Sequence, residues 1–266
     1  MRRARAHLSI LALVAVAAAV TPANADVPRS FAFSFDQGLL LPGQSRGAYL
    51  HVAGTPERAG ESLPLVVFLH GLNFGTQLHL WMGGGQADLR ASADRVAASS
   101  GAFILAAPSQ TADSAAAKTL WSTFDLPAFV DATARAAELA GVRVDRARVI
   151  LVGHSGAGCS EGGGLYAPLA PDDPLPAAIL AIDPCLDDEL GRSAARTGRP
   201  VIVAWQDSEW PRDPDAMKRG FTDEGSTEEA DRLDMQRLTV PGNDAHNAVV
   251  PVAFERFVPE LLDDLE

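Results

Sequence analysis

Hydrophobic positions along the chain fall into short uninterrupted runs separated by longer segments of mixed character. Leu65 to Leu69, Phe103 to Ala107, Val149 to Val152, Ala178 to Ile182 and Val201 to Trp205 are continuous apolar stretches bounded by turn residues, the pattern of strands buried on both faces. Between them the spacing turns helical. In Ala87 to Ser99, Leu89, Ala93, Val96 and Ala97 fall on one side, and Leu126 to Ala140 forms a second such segment, with Asp125 as its cap and Pro127 in its first turn. Alternation of this kind predicts an α/β fold, a doubly wound and mostly parallel sheet with helices on both faces and its site at the carboxyl ends of the strands. Phe31 to Phe35 and Ala48 to Val52 are candidates for leading antiparallel strands. Arg212 to Asp234 is polar and charged, and reads as a solvated excursion with one short helix.

The first 25 residues have a different character. Arg2, Arg3 and Arg5 precede an apolar run from Leu8 to Val20, and Ala23-Asn24-Ala25 has the small-x-small form of a signal-peptidase site. The expected organisation is therefore a signal peptide over residues 1–25 and a single domain over 26–266, secreted or periplasmic, with no stable membrane span because the apolar run is short. Cleavage removes three positive charges from a chain whose net charge is already -12, so binding that depends on neutralising phosphates, nucleic acid above all, is disfavoured. With 47% hydrophobic and 21% charged residues the composition is that of a globular protein, which excludes disorder and collagen-like repeats. Cys159 and Cys185 are the two cysteines, an even number in a chain expected to enter an oxidising compartment; they permit one disulfide, the alternative being two buried thiols. Neither they nor any His-Glu-x-x-His or EF-hand spacing makes a metal site. There is no Walker A loop and no other cofactor signal.

The string that carries chemistry is Arg148-Val149-Ile150-Leu151-Val152-Gly153-His154-Ser155-Gly156-Ala157-Gly158. An apolar strand runs into Gly-x-Ser-x-small and then into a small-residue helix start. Such a turn lifts a hydroxyl clear of the sheet and needs small flanking residues, here Gly153 and Ala157, to avoid collision. On these residues the chain resembles the α/β-hydrolase superfamily, secreted bacterial serine esterases and lipases in particular, with Ala157 replacing the usual last glycine. The resemblance extends over nearly all of residues 26–266 and implies a serine hydrolase.

Several assignments follow from that resemblance. Ser155 is the expected nucleophile. Superfamily order is serine, acid, histidine, and His246 is the one histidine beyond Ser155, which makes it the expected base. The strand Leu65 to Leu69 ends in His70-Gly71, where the family supplies an oxyanion donor from the next residue; Leu72, with Asn73 as its neighbour, would pair with the N–H of Gly156. His70 itself reads as structural. For the acid, the stretch Pro200 to Pro211 resembles the penultimate strand and acid loop. Counting forward from Pro200 favours Glu209, and counting back from Pro211 favours Asp207. Asp183, after the preceding strand, is a third option that could equally cap the next turn, and Asp213 and Asp244 rank below these. Cys159 and Cys185 would lie near one rim, where a bridge braces the nucleophile turn.

Only Pro184 to Arg199 lies between the sixth and seventh strands, too little for a large cap, so an open site is expected. Leu72, Phe74, Leu78, Leu80, Trp81 and Met82 are candidates for an acyl pocket, and Trp121, Phe124, Trp205 and Trp210 for an aromatic wall. The activity implied is hydrolysis of a small-molecule or polymeric carboxylic ester through an acyl-enzyme. Peptide or amide cleavage on the same triad, and a non-catalytic binding protein that keeps the fold, are the alternatives.

Overall fold

A computed structural model describes residues 28–35, 47–72, 88–109, 121–167, 175–208, 212–225, 231–240 and 244–265. Residues 1–25, read from the sequence as a signal peptide, lie outside them. The five apolar runs are strands, and each lies inside an eight-stranded sheet of order β1-β2-β4-β3-β5-β6-β7-β8. These are β1 (Ser30–Ser34), β2 (Gly47–Ala53), β3 (Ser62–Leu69), β4 (Phe103–Ser109), β5 (Arg143–His154), β6 (Ala178–Ile182), β7 (Val201–Trp205) and β8 (Leu233–Arg237). β2 runs antiparallel to β1 and β4, and every other pairing is parallel.

Among the described residues five α-helices cover the sheet: α1 (Leu89–Ser100), α2 (Leu126–Leu139), α3 (Asp188–Arg196), α4 (Pro214–Glu224) and α5 (Ala245–Asp263). The first four begin on Asp88, Asp125, Asp187 and Asp213 respectively, whose carboxylates accept the first-turn N–H of Arg90, Ala128, Leu190 and Ala216. Strand side chains alternate between the two faces. Val66, Phe68, Ile150 and Val152 point to the layer of α1 and α5, while Leu65, Val67, Leu69 and Leu151 point to the layer of α2, α3 and α4. The result is a three-layer α/β/α sandwich. Between β6 and β7 there is one helix, α3, and no separate cap.

Two elements depart from expectation. The sheet ends in β8, which starts in the last two residues of the stretch read as a polar excursion; its sequence Leu233-Asp234-Met235-Gln236-Arg237 sits at the sheet edge, half-buried, where polar residues are tolerated. After β5, Ser155–Gly158 forms a single 3-10 turn rather than the start of a regular helix, closed by Cys159 N–H donating to Gly156 O at 3.2 Å. Gly156, Gly158 and the glycines at 162 to 164 give that segment little helical propensity.

Candidate active site

Strand register brings the site together. Leu69 pairs with Gly153, His154 with Ile182, and Ile182 with Ala204, so the residues that follow β3, β5, β6 and β7 emerge side by side at one edge of the sheet. These are His70-Gly71, Ser155, Asp183 and Gln206.

Ser155 has φ +55°, in the left-handed region, and Asp183 has φ +46°; among the described residues they are the two non-glycine residues with positive φ. The turn at Ser155 works only with small neighbours. A Cβ on Gly153 would lie 2.6 Å from the Leu165 side chain, and one on Gly71 would lie 2.9 Å from Ser155 Cβ. The Gly71-Leu72 backbone therefore rests directly against the serine, with Leu72 half-buried over the core and Gly156 buried as the first residue past Ser155. Trp121 fixes this approach from below: its Nε1–H donates to His70 O at 2.8 Å, and the two rings meet edge-to-face at 5.1 Å.

His246 enters from the first turn of α5. Its Nδ1–H donates to Asp183 Oδ2 at 2.5 Å, with the aspartate side chain fully buried and the imidazole 17% exposed. Since Nδ1 carries the proton, Nε2 is the basic nitrogen of the neutral ring. Burial works to raise the Asp183 carboxyl, but hydrogen bonds from His246 and Gln206 and the Arg212 charge outweigh it and hold it below the ordinary carboxylate range. Gln206 Nε2 donates to Oδ2 at 2.9 Å, and Arg212 Nη2 lies 2.9 Å from Oδ1.

His154, between the glycine and the serine of the turn, packs its ring 4.4 Å from that of His246, and its Nε2–H donates to His246 O at 2.9 Å. Burial, reinforced by the neighbouring His246, pushes its pKa down to about 3, so it is neutral and serves as a support. His70 is structural as expected: its Nδ1–H donates to Gly71 O at 2.6 Å, and burial lowers its pKa to about 4.

The carboxylate that meets His246 corrects the expectation from the sequence. Asp207 turns outward and pairs with Arg237 of β8, with nearly half its side chain exposed. The residue beside it, Gln206, takes the inward position at the end of β7 and is buried. Glu209 lies outside the described residues. Asp183, the third option from the sequence, is therefore the carboxylate in contact with His246. Asp213 caps α4, and Asp244 accepts from the Asn247 side chain. His154, Gln206 and Arg212 were not singled out from the sequence; the inward aspartate directly after a fully apolar strand was the available sign for Asp183.

Cys159 and Cys185 form a disulfide, Cα–Cα 4.9 Å, that joins the end of the 3-10 turn to the loop after Asp183. The proposed aromatic wall is corrected in part. Trp121 and Phe124 are buried and pack edge-to-face at 5.7 Å, and Trp205 is buried too, so these rings form the floor of the site inside the core. Trp210, the alternative oxyanion donor Asn73 and the pocket candidates Phe74, Leu78, Leu80, Trp81 and Met82 lie outside the described residues. Among the described residues no helix is long and apolar enough to cross a membrane, and no cluster of three or more His, Cys, Asp or Glu side chains is arranged to hold a metal.

No protein-family model matches the sequence, and no curated protein matches it. Solved structures do match in shape. A thermostable esterase superposes with TM-score 0.56 at 16% identity, over 90% of this chain and 64% of that one, so the chain spans somewhat under two thirds of that protein's length. A ferulic acid esterase from Anaeromyces mucronatus gives 0.55 at 15% identity over 89% of this chain and 92% of that one. An S-formylglutathione hydrolase from Agrobacterium tumefaciens gives 0.54 at 14% identity over 89% and 95%. Together with the strand order and the turn at the end of β5, these likenesses establish that the chain has the α/β-hydrolase fold.

Proposed function

We propose that the protein is a secreted serine hydrolase that cleaves carboxylic esters through an acyl-enzyme, with Ser155 as nucleophile, His246 as general base and Asp183 as the acid. The observation that carries this reading is the 2.5 Å hydrogen bond from His246 Nδ1–H to the buried Asp183, formed beside the strand end that holds Ser155 at positive φ. A carboxylate so placed fixes the imidazole tautomer and stabilises the imidazolium that forms when Nε2 takes the serine proton. Ser155 Oγ attacks the ester carbonyl, and the backbone N–H groups of Leu72 and Gly156 receive the oxyanion, an effect worth about 3 to 4 kcal/mol per donor. His246 returns its proton to the departing alcohol, and water, deprotonated by the same nitrogen, releases the acid and restores Ser155. The esterase names among the similar structures support esters as the substrate class. The N-terminal segment and the disulfide support export.

A fluorophosphonate probe on the purified protein tests the nucleophile: strong labelling of the wild type and none of Ser155→Ala is expected. Equal labelling of both removes Ser155 from the mechanism. Turnover of p-nitrophenyl acetate well above that of a p-nitroanilide separates ester from amide cleavage.

A further inference from the structure

The acid is held by an arginine that no part of the triad chemistry requires. We propose that Arg212 is a positioning residue of this site, clamping the Asp183 carboxylate and its backbone together and holding a fixed positive charge beside the Asp183–His246 couple. The inference rests on the triad reading above.

Arg212 Nη2 lies 2.9 Å from Asp183 Oδ1 and donates to Asp183 O at 3.4 Å, so one guanidinium nitrogen bridges the side chain and the main chain of a residue in a left-handed turn. The other contacts of Asp183 complete the cage. Its N–H donates to Ala204 O at 2.7 Å, Gln206 N–H reaches Oδ1 at 3.4 Å, and Gln206 Nε2 and His246 Nδ1 share Oδ2. Gln206 is itself oriented, because its Oε1 accepts from Ser208 N–H and Oγ at 2.8 and 2.9 Å, which turns the amide NH2 toward Asp183. The arginine side chain is 10% exposed and that of Asp183 0%, so solvent screens the pair little.

A buried ion pair is a poor source of stability, since apolar replacements of similar volume often serve as well. A permanent positive charge at this point does something a packed apolar side chain cannot: it disfavours protonation of every titratable group nearby. Asp183 faces His246 from α5 and Arg212 from the segment before α4. His246 faces Asp183 and His154 of β5, and His154 in turn faces His70 beyond β3. His154 and His70 are held neutral by burial, which leaves Arg212 as the fixed charge opposing proton uptake by the Asp183–His246 couple.

The test compares wild type, Arg212→Gln and Arg212→Lys by the pH dependence of kcat/KM on p-nitrophenyl acetate, and by NMR titration of the His246 imidazole, which needs no turnover. Arg212→Gln is expected to move the acid limb and the imidazole titration upward by about half a unit to one unit. Arg212→Lys keeps the charge and is expected to stay within about 0.2 units of wild type while losing rate through its poorer fit. An unmoved limb in Arg212→Gln, or equal shifts in both variants, overturns the proposal. A wild type that turns over no ester sinks the hydrolase reading alone, and the imidazole titration still decides the clamp. If Arg212→Gln fails to fold because Asp183 is left buried without a fixed counter-charge, Asp183→Asn/Arg212→Gln carries no such charge. Its kcat/KM is expected within about twofold of Asp183→Asn, because Arg212 acts through Asp183; a further tenfold loss overturns the proposal.

Discussion

At Asp183 four donors converge on one buried carboxylate, and only one of them, His246 Nδ1–H, belongs to the proposed triad. Replacing the carboxylate by an amide leaves the shape but permits the wrong imidazole tautomer. Asp183→Asn is therefore expected to lower kcat/KM on a short p-nitrophenyl ester by about three to four orders of magnitude. Asp207→Asn, which removes only an exposed pair with Arg237, is expected to stay within about threefold of wild type. Comparable losses in the two variants would contradict the assignment of the acid. Ser155 and His246, the proposed nucleophile and base, can be picked out of the sequence because each stands alone: one serine in a glycine-flanked turn after an apolar strand, one histidine beyond it. The acid was not legible. Both β6 and β7 are followed closely by aspartates, and what separates Asp183 from Asp207 is that Gln206 turns inward at the end of β7, a choice that no hydrophobic pattern records. His154, Gln206 and Arg212 act through contacts between residues distant in sequence, and nothing local marks them.

Among the elements, the buried strands were legible because parallel strands covered on both faces must be apolar throughout, whereas β8 is a half-buried edge and carries the composition of a loop. Helix starts were equally plain where an aspartate caps them, as at Asp125. Helix packing was less so. α3 and α4 cross at two glycines: a Cβ on Gly191 would sit 2.1 Å from Met217 O, and one on Gly220 would sit 1.8 Å from Asp188 O. Backbone cannot yield as a flexible side chain can. Gly220→Ala is expected to force the helices apart and destabilise the protein by about 1 to 3 kcal/mol, read as a lower urea midpoint. An unchanged midpoint would show that the crossing is looser than the contact implies.

For the molecule as a whole, the buried histidines link stability to acidity. His70 and His154 have native pKa values of about 4 and about 3, against an ordinary value near 6.5 in the unfolded chain. As pH falls below about 6.5 the unfolded state takes up protons that the native state refuses. Each histidine then lowers stability by about 1.4 kcal/mol per pH unit until its native value is reached. Asp183 works in another window: its depressed native pKa adds stability above the unfolded value of about 4, lost only as pH falls further. A steep drop in Tm between pH 7 and pH 5 is expected by circular dichroism, well above the range in which carboxylates titrate. A flat Tm over that interval would mean that the histidines are hydrated in the native state.

The left-handed turns at Ser155 and Asp183 have a practical corollary for anyone improving the protein. Glycine fits both backbone conformations better than the residue present, so a screen that selects variants by heat resistance alone will drift toward emptying two positions of the proposed triad. Robustness and turnover pull against each other at these points, and a stabilised variant is worth keeping only if it has been chosen on both.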